Sequence, residues 1–188
     1  MLVCALDLEM NQPSQKIIEV GYTIGDIYTG EVKLSKGLIV NPHEQLSEFI
    51  INLTHISQEM VDIGYELVDA YKEMMKDCET LGVHRQPVVW GGGDVRTLKQ
   101  QVNEIDSSIL RKDSGIWSFG YTEMNDKNIV QAILGAKKLK TQGGLARSLG
   151  KFGLNFKGTK HRAIDDSLNT FLIHVELLKR LQVIEVKA

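Results

Sequence analysis

The stretch ALDLEM, residues 5–10, closes an apolar run that begins at Leu2 and then presents two carboxylates, Asp7 and Glu9, one residue apart. With the period of two of an extended chain, residues 7 and 9 point to the same face, while Leu8 points the other way. Two like charges held side by side at the end of a buried strand repel, and neither is easily buried alone. The pattern asks for something positive between them.

Working outward, residues 2–7, 16–24 and 31–40 read as three successive strands. KIIEVGYTI is rich in β-branched residues, EVKLSKGLIV partly alternates, and the short connections suit an antiparallel meander. Asn41-Pro42 stops the third strand, and a long loop carrying LTHIS (53–57) follows. Val68, Tyr71, Met75 and Cys78 recur at helical steps and predict a helix over about 65–80. Pro87-Val88-Val89-Trp90 reads as a short apolar strand ended by Gly91-Gly92-Gly93, with Asp94 placed to cap a helix running to about 105. Ile116-Trp117-Ser118-Phe119 is a candidate further strand. Helices are expected over 126–138, 143–150 and about 163–181, the last with Ile164, Leu168, Phe171, Val175 and Leu178 or Leu181 as its apolar stripe. Three strands followed by strand–helix alternation imply an α/β fold, a mixed sheet with helices packed against it.

The 188 residues suit one domain, 1–188, and no repeat or low-complexity linker divides them. No apolar run approaches the ~20 residues of a membrane helix. The start carries no basic leader, and Cys4 and Cys78 lie in apolar patterns without C-x-x-C spacing, as buried thiols of a reducing compartment would. A cytoplasmic location is expected. The formal net charge of −2 is unevenly spread: residues 137–162 carry eight Lys or Arg and no acid, leaving 14 basic against 24 acidic groups elsewhere. A local basic stretch on an acidic body suits attraction of a phosphate chain, and equally a solvated helix face.

Three further acids fall at element ends. Asp94 follows the VVW strand, and Asp165 and Asp166 open the last helix with His161 just before it. Four carboxylates meeting at one sheet edge would be unstable without cations, and oxygen ligands without Cys point to Mg²⁺ or Mn²⁺ rather than structural Zn²⁺. Taken alone, D-x-E could be a solvated strand end. It could also evoke the D-x-D of aspartyl-phosphate phosphatases, but no later Lys and paired Asp are spaced for that chemistry. The three glycines are not a P-loop, since no G-K-S or G-K-T follows. His43, His84 and His174 have no motif support and read as structural or surface residues.

In combination, D-L-E at 7–9, W-G-x-x-D at 90–94 and H-R-A-I-D-D at 161–166 resemble the DEDDh family of 3′-to-5′ exonucleases. The resemblance extends to IIEVG (17–21) and LTHIS. GLNFKGTKHRAIDDSLNT (153–170) looks most like the RNA-trimming and KapD-like branch. Met10 stands where proofreading members often carry Thr, and the glycines before Asp94 where relatives carry larger residues.

The resemblance implies an RNase H-like mixed five-stranded sheet flanked by helices. It also implies two Mg²⁺ or Mn²⁺ ions, with Asp7, Glu9 and Asp166 holding one and Asp7 bridging to a second supported by Asp94. His161, in H-x-x-x-x-D spacing with Asp166, would be the general base. Position alone leaves Asp165 and Asp166 equivalent; the family spacing selects Asp166 and leaves Asp165 as a capping or supporting acid. Substrate contacts are implied for Leu8, Met10, Leu53, Thr54, His55 and Ile56, with His55 standing where relatives often have Gly. Lys151 and Lys157 are candidates for phosphates upstream of the cleaved bond.

The expected function is hydrolysis of single-stranded RNA or DNA from its 3′ end to nucleoside 5′-monophosphates. Two rival readings are a proofreading or repair DNA exonuclease working with a polymerase, and a binding module of the same fold without catalysis. A homodimer or polymerase partner is compatible with the resemblance but not specified by it.

Overall fold

The computed structural model describes residues 1–120, 122–139 and 143–181. The chain runs β1 (Leu2–Met10), β2 (Ile17–Asp26), β3 (Val32–Ile39), α1 (Glu48–Thr54), α2 (Gln58–Asp62), α3 (Leu67–Thr80) and β4 (Val88–Val89), and continues with α4 (Asp94–Ile105), β5 (Met124–Asn125), α5 (Asp126–Ala136), α6 (Leu145–Lys151) and α7 (Ala163–Arg180). The sheet has the order β3-β2-β1-β4-β5. β1, β2 and β3 pair antiparallel, while β4 joins β1 in parallel and β5 joins β4 in parallel. This is the mixed five-stranded, RNase H-like architecture expected.

β1 is buried on both faces and divides its residues between two cores. Cys4, Leu6 and Leu8 pack with Val20, Tyr22, Tyr71, Met75 and Leu98 on the side of α3 and α4. Val3 and Ala5 pack with Val88, Phe171 and Val175 under α7. Every side chain on the α7 side from residue 3 to residue 9 shares a face with Asp7 and Glu9.

Glycines bring α7 close to the sheet. A Cβ on Gly21 would lie 1.9 Å from the carbonyl carbon of Ala163, and one on Gly25 would lie 2.2 Å from the Phe171 ring. Because α7 also packs against α6 through Ile173, Leu177 and Leu149, it is buried beyond a single stripe. Ser167, Asn169, Thr170 and His174 are buried with the apolar positions, whereas Leu181 is exposed.

Three expectations need correction. The loop after Pro42 contains two short helices, each begun by a serine N-cap: the Ser47 and Ser57 hydroxyls accept from Ile50 N and Met60 N at 3.3 Å. Ile50, Ile56 and Val61 then close over Ile18 and Leu46. Residues 116–119 form no strand. Trp117 and Phe119 instead pack edge-to-face at 5.3 Å against the α3–α4 core, and the fifth strand is Met124–Asn125. Finally, the N-cap of α4 is Gly93, with Asp94 the first helical residue. Both cysteines are free and buried, as expected.

Candidate active site

β1 delivers Asp7 and Glu9 to one face of the sheet, and the antiparallel register sets Gly21 opposite Asp7 and Glu19 opposite Glu9. Since Gly21 has no side chain, the first turn of α7 settles directly onto β2 beside Asp7. That contact brings Asp166 to the two strand acids. Asp7, Glu9 and Asp166 each offer a carboxylate oxygen, and these three atoms lie within 4.8 Å of one another.

Burial and mutual repulsion make ionisation of this cluster costly. The Asp7 carboxyl is pushed well above its usual range, first by burial and then by Asp94, Asp166 and Glu9. Glu9 is raised to about 8 by burial and by Asp166, Glu19 and Asp94, with Arg162 acting in the opposite direction. Asp166 is raised to about 6, again chiefly by burial, although the His161 backbone N–H and the His161 side chain draw it down. Such a set of acids binds protons or cations at neutral pH.

The turn before α7 is held by side chains of the helix itself. His161 has a left-handed φ of 61°, its backbone N–H donates to Asp166 Oδ2 at 2.8 Å, and the residue is exposed and lines a cavity together with Asp166. Asp165 accepts from Thr159 N at 2.8 Å. The two adjacent acids therefore divide their work: Asp166 faces the cluster and Asp165 ties down the loop. Buried Asn169 fastens the same loop at Lys157, donating to its carbonyl at 2.8 Å and accepting from its N–H at 3.0 Å.

Asp94 lies outside the three-acid group but close enough to raise the pKa of Asp7 and Glu9. Its own pKa is raised to about 7 by burial and by Glu123. Gly91, Gly92 and Gly93 all have positive φ (108°, 83° and 105°), a run that residues with side chains would strain to adopt. Glu123 accepts from Gly93 N and, at 3.4 Å, from Val95 N, so it caps α4 from across the fold.

Sequence reasoning missed both Glu123 and Glu19. Nothing local marks Glu123, which lies in the stretch where no element was assigned with a defined range. Glu19 did leave a signal, a single acid within the otherwise apolar run IIEVG. It is fully buried and accepts from Arg162 Nε and Nη2 at 3.1 and 3.0 Å and from Ala163 N at 2.8 Å.

The implied substrate contacts have diverse settings. Leu8 is buried in the α3–α4 core, with Met10 half-buried against it. Thr54 is buried, its hydroxyl donating to Ile50 O at 2.8 Å and accepting from Ile56 N at 3.2 Å, and Ile56 is buried beside it. Leu53 is half-buried, and His55, the left-handed C-cap of α1, is exposed. In the basic stretch, Lys151 ends α6 and Lys157 follows it, both exposed, while Lys140 lies outside the described residues. A cavity of about 440 Å³ opens beside the cluster, bounded by Arg147, Phe156, Lys160, His161 and Asp166.

This fold and acidic site define a class of nucleic-acid hydrolase. The chain matches the RNase T-type exonuclease family over residues 4–173 and belongs to it, the DEDDh 3′-to-5′ exonucleases. Among curated proteins it is 25% identical to ERI1 exoribonuclease 2 of Mus musculus, over 88% of this chain and 26% of that one. It is also 25% identical to the PolC-type DNA polymerase III of Staphylococcus epidermidis, over 89% of this chain and 10% of that one. The chain thus spans about a quarter and a tenth of these relatives' lengths. Among solved structures it resembles the nuclease domain of 3′hExo bound to rAMP, with a TM-score of 0.75, 21% identity, and coverage of 100% of this chain and 96% of that one. Among the described residues, no helix is long and apolar enough to cross a membrane.

Proposed function

We propose that this chain acts as one metal-dependent exonuclease domain, removing nucleoside 5′-monophosphates from the 3′ end of single-stranded RNA or DNA. What carries the reading is the convergence of three carboxylates, from β1 and α7, within 4.8 Å in a family of 3′-to-5′ exonucleases. All the donors are hard carboxylate oxygens, so the set fits two Mg²⁺ or Mn²⁺ ions better than a softer metal. Asp7, Glu9 and Asp166 would hold them, with Asp94 supporting the second. Bound there, divalent cations would neutralise phosphate charge and ease deprotonation of water.

The chain's own residues do the rest. His161 takes the proton of the attacking water at its exposed imidazole and is held at the cluster through its N–H bond to Asp166. His55 and Leu53 offer a surface on which a terminal base can stack, and buried Thr54 and Ile56 hold the α1–α2 corner that presents them. Lys151 and Lys157 favour the approach of upstream phosphates. The likeness to ERI1 exoribonuclease 2 favours RNA, and the equal likeness to a PolC-type polymerase supports a proofreading DNA exonuclease as the second reading. Matched 5′-labelled RNA and DNA strands, plus a DNA duplex with a mismatched 3′ end, separate them. Preferential trimming of the mismatched end supports the second reading, and preferential trimming of single-stranded RNA supports the first.

A further inference from the structure

We infer that Glu19 and Arg162 form a positioning clamp that sets the catalytic reach of His161. The inference rests on the exonuclease reading and adds to it two residues that touch neither substrate nor reacting atoms. Glu19 is a carboxylate buried in the middle of a sheet, where an unpaired charge would be strongly unfavourable. Its two oxygens are committed to three donors, all on the two residues that follow His161: Arg162 Nε, Arg162 Nη2 and Ala163 N. The Arg162 bond is bidentate, so it fixes orientation as well as distance.

The clamp is rigid at its base. Glu19 pairs with Glu9 across the β1–β2 ladder and with Ile39 across the β2–β3 ladder, and Gly37 leaves room for its carboxylate: a Cβ there would lie 2.7 Å from Glu19 Oε1. His161 is thereby held from both sides. Its own N–H is bonded to Asp166, and the next two residues are bonded to Glu19, so hydrogen bonds on both sides hold the left-handed turn at His161, φ 61°. If Glu19 releases the turn, His161 loses its fixed approach to the acids while the sheet that carries those acids persists.

The test is a double-mutant cycle. Glu19→Gln keeps the shape but weakens the clamp, and Arg162→Lys keeps the charge but loses the bidentate fork. Each is made in the wild-type and His161→Ala backgrounds, with kcat and KM measured on a 5′-labelled single strand, melting temperature recorded, and Mn²⁺ binding measured by calorimetry. Either variant should lower kcat by about 10–100-fold with little change in KM. In the His161→Ala background the same change should cost less than about threefold, because residues acting as a unit are not additive. Equal fold-losses in both backgrounds, or a change confined to KM or Mn²⁺ affinity, would overturn the clamp.

Exchange of the His161 and Ala163 amides with D₂O supplies a readout that needs neither activity nor metal. Both amides should lose protection in Glu19→Gln, and unchanged protection refutes the inference. If Glu19→Gln fails to fold, Arg162→Lys carries the test. An inactive wild type would sink the exonuclease reading itself, and the amide exchange would still decide whether Glu19 holds the turn.

Discussion

Glu9 and Glu19 stand directly opposite each other across the β1–β2 ladder, and of the two, Glu19 is the one held by Arg162. Glu9 is left with its pKa raised to about 8, facing Asp7 and Asp166. One member of the pair ties down the turn before α7, and the other completes the three-carboxylate cluster with Asp7 and Asp166.

Removing Asp7 should cost more than removing His161. Asp7 is central to the acid cluster, whereas the role proposed for His161 is to take one proton. His161→Ala should slow turnover by about 10²–10⁴-fold, the usual worth of a general base, with Mn²⁺ affinity within about threefold of wild type. Asp7→Asn should abolish both turnover and the calorimetric Mn²⁺ signal. Retained Mn²⁺ binding in Asp7→Asn would contradict the assignment.

Stability and cation binding should depend on pH in opposite directions. Glu9, Asp94 and Asp166 have folded values of about 8, 7 and 6, all above the roughly 4 of free carboxyls. Between these limits the folded state binds more protons than the unfolded state, so metal-free stability is greatest below about pH 4 as far as these groups are concerned. It falls as pH rises, and the loss is complete once pH passes about 8. Cations compete with those protons, so the rise in melting temperature on adding Mn²⁺ should grow from about pH 6 to about pH 8.5. A thermal-shift series across that range checks both trends, and a flat difference would mean the acids are not the binding site.

Two glycines should respond in opposite ways to alanine. At Gly21 the added Cβ would fall 1.9 Å from the Ala163 carbonyl carbon, a backbone contact that cannot swing aside. Gly21→Ala should destabilise the fold by at least the upper part of the about 1–3 kcal/mol typical of overpacking. Gly150, inside α6 with open space around it, should gain about 0.5–1 kcal/mol on the same change. Urea unfolding of the two variants measures both.

Much of this was legible from residue order alone. The D-x-E at the end of an apolar strand, the acid after VVW and the H-R-A-I-D-D at a helix start are local patterns, and each ended up at the edge of a buried element. The sheet was readable where strands are long, as in β1 to β3. It was not readable at β5, which is two residues long and takes its pairing from β4, while the more apolar Trp117 and Phe119 were drawn into the core. Glu123 and the close approach of α7 over Gly21 depend on contacts between segments far apart in the chain, which no local pattern encodes, and Glu19 showed only as a lone acid in IIEVG without its distant partner Arg162.

His174 shows the same limit. It lies fully inside α7 with its Nδ1 at 3.1 Å from both oxygens of buried Asp126, joining α5 to α7. Removing the acceptor leaves a buried polar group of His174 unpaired, so Asp126→Ala should lower stability by about 1–3 kcal/mol. Chemical denaturation decides it, and a loss below about 1 kcal/mol would mean the helices pack without the pair.

Lys157 should act through charge alone. Lys157→Ala is expected to reduce the slope of log affinity against log salt by about 0.7 for a single strand, uniformly across sequences. An unchanged slope would return this part of the basic stretch to a solvated surface.

The most direct measurement incubates wild type and Asp7→Ala with 5′-labelled single-stranded RNA and DNA of identical sequence, in Mg²⁺, in Mn²⁺ and in EDTA. The account predicts a ladder shortening from the 3′ end with wild type and a divalent cation, and full-length strands in EDTA and with the variant. Intact strands in every wild-type lane, with binding still detectable, would contradict it and leave a nucleic-acid-binding module of the same fold.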